Sequence, residues 1–327
     1  MQSMLDSFVN DIVSNPHRHE TWLIMADWLE DQNDPRAELV RLTWQVQHES
    51  NHPDFLARQL RMQELLTAGF RPIRPHWINE LGVDFVLITG GPGYIGSPVT
   101  EVDRGITEQN QQQIAIVNPF WLSVHPITQT QWEMVTDYNP SFFSKDGPYH
   151  HRVADLHDAE VASFPAEGFM YNDIARFCRK FEAPIRLPTA VEWEYACRAG
   201  TTTPWHFGYF CDSNQANVLI DNIFMTTIQA REVLPNPCNS ILYPPNAWGL
   251  YGMHGNLWEW TSDSDHGSSQ KIVKGGCFDA PARWSRSSSN SSAHVNNSYQ
   301  NIGIRVAITH KDLLCYKMNH HVEFVSG

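Results

Sequence analysis

Basic residues are scarce in this chain. Lys and Arg number 23 against 36 Asp and Glu in 327 residues, a formal net charge of −13. No stretch gathers the basic side chains into a phosphate-binding surface, which excludes nucleic acid as a partner. Long apolar runs are also missing: none approaches the roughly 20 residues of a membrane-spanning helix. The opening MQSMLDSFVNDIVSN carries acids where a secretory signal needs a basic start and an apolar core. A cytoplasmic protein with no membrane partner is expected. Cysteine is thin, with six residues (Cys178, Cys197, Cys211, Cys238, Cys277, Cys315), no CxxC pair and no disulfide-dense spacing. Reduced thiols are therefore expected. HExxH, GxSxG and Walker signatures are absent, and the 16 histidines are dispersed. The neighbours His150-His151 and His320-His321 would point to opposite faces of a strand and chelate one ion poorly.

What is present is core material, 42% hydrophobic and 12% aromatic, enough for one large domain or two unequal ones. Residues 1–75 read as a helical unit. Phe8, Ile12 and Val13 share a face, Trp22, Leu23, Met25, Ala26 and Leu29 continue the pattern, and Asp34-Pro35 is a helix start. From Asp84 onward the texture changes to short strands punctuated by Gly, Pro and Trp. Gly91, Gly93 and Gly96 form G-x-G-x-x-G after a strand. No helix follows to receive a pyrophosphate, because Pro98 and a polar run intervene, so the glycines read as a hairpin turn. Helices are expected over 171–181 and from Thr189, where Thr189 and Glu192 make a capping box, to Gly200. Near the end, "KIVKGGCF" and "NIGIRVAIT" read as strands around a run of small polar residues. Between Ser285 and Gln300, 10 of 16 residues are Ser or Asn.

Four phrases stand in order: "VHPITQTQWEMVTDYNPSFF", "IRLPTAVEWEYACRAGTTTPWHFG", "PPNAWGLYGMHGNLWEWTSD" and "KGGCF...NIGIRV". Together they resemble the formylglycine-generating enzyme, or sulfatase-modifying factor, family over residues 84–310. The resemblance implies an α+β domain of irregular C-type-lectin-like fold. Ahead of it, "ADWLEDQNDPRAE" resembles the small helical repeat-companion module of bacterial proteins, which implies an adaptor that packs on or docks a partner. Residues 311–327 are expected to form a C-terminal extension.

The family's activity depends on two cysteines that bind copper(I), and soft thiolates are the ligands such an ion demands. Here those positions fall at Ala280 and Ser285, so copper is not expected and formylglycine generation is disfavoured. Cys277, at the serine of the family phrase, is one sulfur, and it is the alternative catalytic residue. Partners for the family's disulfides would fall at Asn290 and Val306, so Cys178 and Cys197 have none. The resemblance also implies calcium, through Glu259 and the carbonyls of Gly255 and Leu257. A second set is Asn217, the Val218 carbonyl and Glu232. The usual Asn or Asp of the first set falls at Gly252, which weakens it. Arg186, Glu192, Glu194, Arg198 and Arg305 are read as internal ion pairs. The sulfur-transfer oxygenases that share this fold carry iron ligands on a helical bundle. His17 and His19 here lack that motif.

The polar run has the Tyr/Ser/Asn chemistry of antibody binding loops. It also resembles the variable region of retroelement-diversified proteins that use this fold. The candidate ligand-binding residues are Asp279, Ala280, Trp284, Ser289, Asn290, Ser291, Ser292, His294, Asn296, Asn297, Ser298 and Tyr299, with a protein or peptide as the expected ligand. Trp284, His294 and Tyr299 are the expected anchors. The alternative is an enzyme of the same fold that modifies a peptide through Cys277.

Overall fold

The structure, a computed structural model, describes residues 2–106, 108–219, 236–265, 267 and 269–327. Four helices come first: α1 (Gln2–Ser14), α2 (Glu20–Asp31), α3 (Arg36–His48) and α4 (Phe55–Thr67). Leu5, Val9, Ile12 and Val13 are the buried side of α1, and Trp22, Met25, Ala26 and Leu29 lie on the buried side of α2. Steps of three and four residues put each set on one helix face. Asp34 Oδ1 accepts the Arg36 N–H at 2.9 Å and so opens α3.

The strands follow: β1 (Pro75–Ile78), β2 (Asp84–Ile88), β3 (Gly91–Ile95), β4 (Gln112–Ile116) and β5 (Phe120–Ser123). Helices α5 (Gln129–Thr136), α6 (Asp158–Ala162), α7 (Tyr171–Cys178) and α8 (Ala190–Arg198) come next. The chain ends through β6 (Trp258–Ser264), β7 (Gln270–Lys274), β8 (Asn290–His294), β9 (Ile302–Gly303), β10 (Ala307–Thr309), α9 (His310–Lys317) and β11 (Val325–Ser326). An antiparallel sheet runs in the order β10, β5, β2, β1, β11, and a second runs β8, β7, β6, β9 with β6 and β9 parallel. β3 and β4 pair as a separate ribbon. The expected capping box is present: Thr189 Oγ1 accepts from the Glu192 N–H, and Glu192 accepts from the Thr189 N–H.

The helical unit is packed on its own chain. One buried cluster runs from Leu5, Val9 and Trp22 into Trp77, Phe85 and Trp121 of the large sheet. A second joins Leu39, Val46 and Met62 to Trp193 and Trp248. Arg74 is the weld between them. Its guanidinium sits 5.0 Å from the ring centroids of both Trp22 and Trp248, and burial pulls its pKa down to about 9. Gln47 Nε2 adds hydrogen bonds to Gly90 O at 2.8 Å and Tyr195 Oη at 2.9 Å.

Two elements differ from the sequence reading for reasons that local pattern does not carry. The glycines after β2 are not a hairpin turn, since β2 and β3 belong to different sheets. They allow close approach instead: a Cβ at Gly93 would lie 2.5 Å from the Tyr195 ring, and one at Gly91 would lie 2.9 Å from Gln47 Nε2. Residues 311–327 are also more than an appendage. β11 pairs with β1, Leu313 is buried, and Phe324 stacks on Trp121 at 5.2 Å.

Candidate functional site

Gly275 and Gly276 leave β7 at φ of 100° and 75°, in the left-handed region that glycine adopts without strain. A Cβ on Gly276 would lie 2.8 Å from Ser285 Cα, so the pair of glycines lets the chain from Pro281 to Ser289 fold back over β7. The polar run begins in this fold-back, and its first half is interior. Ser285, Ser287, Ser288 and Ser289 are buried. The Ser285 and Ser288 hydroxyls have the partners that burial requires. Ser285 Oγ accepts from Trp205 Nε1 at 3.0 Å and donates to Ala282 O at 2.8 Å. Ser288 Oγ donates to Glu108 Oε2 at 2.7 Å.

Arg286 anchors this half. Its guanidinium is buried against the carboxylates of Glu101 and Glu108 and donates to Asp103 O at 2.7 Å. Burial pushes the Glu108 carboxyl up. Donors from Arg286, the Gly105 N–H, Ser288 and Ser97 outweigh that and bring it down to about 2. At Glu101 burial wins over Arg286, and its pKa is raised.

The second half faces outward. Asn290 to His294 form β8 on the edge of the smaller sheet, with Ala293 pointing inward. The sequence reading took this stretch for loop; β7 supplies the partner that makes it a strand. Asn290, Asn296, Asn297 and Ser298 are exposed, and Ser291, Ser292 and His294 are half-buried. Asp279 is exposed and accepts from Asn301 Nδ2 at 3.1 Å. Trp284 is 47% exposed, a large aromatic left facing solvent. Tyr299 points elsewhere: its hydroxyl accepts from the His294 N–H at 3.0 Å and its ring meets Trp260 edge-on. It braces the turn from inside. Ala280 and Ser289 are buried and present no side chain to a ligand.

The sequence reading missed exposed apolar residues on segments tied to this face. Val102 and Ile106 lie on the loop that Arg286 holds, and both are exposed. Tyr209 and Phe210 are exposed beside Cys211, whose thiol reaches Ser285. Their signal would have been apolar residues inside otherwise polar loop sequence.

The thiols here are held protonated. Burial and the neighbouring Asp279 carboxylate push Cys277 far above its usual value, and its Sγ donates to Asp279 Oδ1 at 2.9 Å. Burial raises Cys197 to about 12 and raises Cys211 further. None of the six cysteines forms a disulfide. Among the described residues no group of three His, Cys, Asp or Glu is placed to hold a metal.

The first calcium set does not fit that ion. Glu259 is buried, and its carboxylate already accepts from Trp193 Nε1 at 2.6 Å and from Arg305 at 3.1 and 3.2 Å. A calcium ion there would face a fixed guanidinium, with Gly252 offering no side-chain oxygen. The Asn217 side-chain amide donates to Asn256 Oδ1 and Asn236 O, and the backbone carbonyl of Asn217 accepts from the Asn256 N–H. A Cβ on Gly255 would lie 2.3 Å from Asn217 O, and Val218 and Leu257 are buried beside this junction. Glu232 lies outside the described residues. The other charges pair internally as expected: Arg186 with Glu192, Arg198 and Lys274 with Glu194, and Arg305 with Glu259.

Irregular loops over two small sheets, with a Gly-Gly fold-back presenting an outer face, define a C-type-lectin-like scaffold of the formylglycine-generating type. Residues 78–310 match the family model "Sulfatase-modifying factor enzyme 1-like domain", and the chain belongs to that family. Formylglycine-generating enzyme of Bos taurus is 27% identical over 220 residues, covering 61% of this chain and 53% of its own. The chain spans about half, or less, of the length of the curated relatives it matches. Among solved structures, PvdO from Pseudomonas aeruginosa superposes with a TM-score of 0.56 at 21% identity, covering 73% of this chain and 99% of that one. Treponema denticola variable protein 1 gives 0.54 at 17% identity, covering 72% and 98%. These two show the shared fold. No helix among the described residues is long and apolar enough to cross a membrane.

Proposed function

We propose that this chain is a noncatalytic recognition protein that binds a protein or peptide through the outward part of residues 279–300. The observation that carries the reading is the chemistry at the family's copper positions: Ala280 and Ser285 bring no sulfur, and Ser285 is committed to Trp205 and Ala282. The nearby Cys277 is a buried, protonated thiol, poorly suited to act as a nucleophile or a copper ligand. Trp284 supplies a rigid apolar anchor, and Asp279, Asn290, Asn296, Asn297 and Ser298 supply adaptable hydrogen bonds around it. The likeness to a variable protein supports one origin for such a surface, diversification by a retroelement, and a near-identical template repeat beside a reverse transcriptase gene would test that origin. Six unbridged cysteines suit a reducing compartment.

The test is capture from cell extract by the intact chain and by a variant with Trp284, Asn290, Asn296, Asn297 and Ser298 changed to alanine. A partner held by the first and released by the second supports the reading. Equal capture by both, or peptide oxidation that depends on Cys277, overturns it.

A further inference from the structure

A cleft of about 220 Å³ opens between the start of β2, the loop after β5, the N-terminus of α5 and the turn around Ser240. It shares no residue with the 279–300 face. On one wall Ser240 Oγ and His125 Nδ1 lie 2.8 Å apart, and the imidazole packs on Tyr251 with ring centroids 4.8 Å apart. Beside them Asp84 Oδ1 meets His76 Nδ1 at 2.8 Å, and the Asp84 side chain is 30% exposed. Val83, Pro126 and Ile241 give the cleft apolar walls.

Gly252 shapes this cleft. It stands at φ 66°, and a Cβ there would lie 3.0 Å from Ser240 Cβ and 3.8 Å from Pro126. The bare backbone at the position where the family resemblance implies Asn or Asp is what lets Ser240 close on Pro126 and His125.

The chemistry favours a cation. Asp84 is the only Asp, Glu, Lys or Arg among the described residues that line the cleft. Burial, aided by Arg305, pulls His125 down to about 4, so the imidazole is neutral; in the tautomer with Nδ1 unprotonated it accepts the Ser240 hydroxyl proton and leaves the serine lone pairs for an incoming N–H. The positive end of α5 opposes a cation only weakly, because the Thr128 and Gln131 capping box already occupies its first N–H groups. The Ser240 and His125 pair is not read as an acyl-transfer dyad. The N–H groups of Ile241 and Leu242, which follow the serine, are bonded to Asn239 Oδ1 and O rather than aimed at an oxyanion.

We propose that this cleft binds a small aliphatic amine, with the ammonium on Asp84 and Ser240 Oγ and the methylenes against Val83, Pro126 and Ile241. It is independent of the recognition face, and the net charge of −13 would raise the local concentration of such a ligand.

The test is isothermal titration of the full chain at pH 7 with 1,5-diaminopentane, 1,5-pentanediol and glutarate. Saturable one-to-one binding of the diamine alone is expected. Asp84→Asn should weaken it by about tenfold or more. Ile241→Trp, at a 60% exposed rim position, should block it without touching the Asp84 and His76 pair. No saturable diamine binding, equal binding of the diol or glutarate, or an affinity unchanged in both variants overturns the proposal. The last outcome would mean diffuse attraction to the acidic surface.

Discussion

Ser285 to Ser289 and Asn290 to Ser298 are both dominated by small polar side chains and have opposite fates. The first stretch is interior, and the second carries the exposed face. Partners far away in the chain account for the difference. Glu108, Glu101 and Trp205 arrive from elsewhere to satisfy the side chains of the first stretch, whereas the second is held through its backbone, by β7, Tyr171 and Tyr299, and turns Asn290, Asn296, Asn297 and Ser298 to solvent. A polar sequence is thus compatible with core when every donor and acceptor has a partner, and composition alone does not say where recognition surface begins. One half fixes the other in place.

The two halves also rest on carboxyls in opposite states. Under the second half, Gly168 N–H bonds Tyr299 O, and the adjacent Glu167 is buried with Oε1 accepting from Phe143 and Oε2 unpartnered. Burial pushes Glu167 up to about 8, while Glu108 under the first half is held near 2.

The largest expected effect is on the first half. Arg286→Met strands two buried carboxylates and should cost about 3–5 kcal/mol in urea unfolding, whereas Asn297→Ala should stay within about 0.5 kcal/mol. If the two cost the same, the division between the halves fails. Next comes pH. The raised Glu167 pKa contributes stability present below about 4.5 and lost as pH rises through about 8. Glu108 contributes stability present above 4.5 and lost as pH falls toward about 2. Glu167→Gln should therefore stabilise the protein at pH 9, by about 2 kcal/mol, and remove the alkaline fall in Tm. A Tm profile that matches the wild type above pH 8 would mean that ionised Glu167 carries no burial penalty in the fold. Ser288→Ala should cost about 1–2 kcal/mol, because Glu108 loses a buried donor, and Ser298→Ala should be near neutral by the same thermal measurement. Smallest in stability is Trp284→Ala, within about 1 kcal/mol. A ligand captured through this face should nevertheless lose about tenfold or more in affinity.

Much of the scaffold was legible because its signals are local. The Thr189 capping box and the apolar faces of α1 and α2 each sit within a few residues of sequence. The ion pairs of Arg186, Arg198 and Arg305 followed from the charged positions in the family phrases. What was not legible depends on distant partners. Arg286 finds Glu108 across 178 residues, Gly93 is required by the Tyr195 ring, and β11 closes a sheet begun near residue 75. Tyr299 had the composition of a ligand anchor, yet its hydroxyl is engaged by the His294 N–H. Trp284, chosen from the same loop, does face solvent. The apolar residues Val102 and Phe210 were passed over because the loop sequence around them is polar.

The most direct measurement is a copper(I) titration of the full chain against a competing chelator, run beside turnover of a cysteine-bearing sulfatase peptide and repeated with Cys277→Ser. The account predicts no stoichiometric copper(I) complex and no peptide oxidation in either protein. One tightly held copper(I) per chain, lost together with turnover in the serine variant, would contradict it.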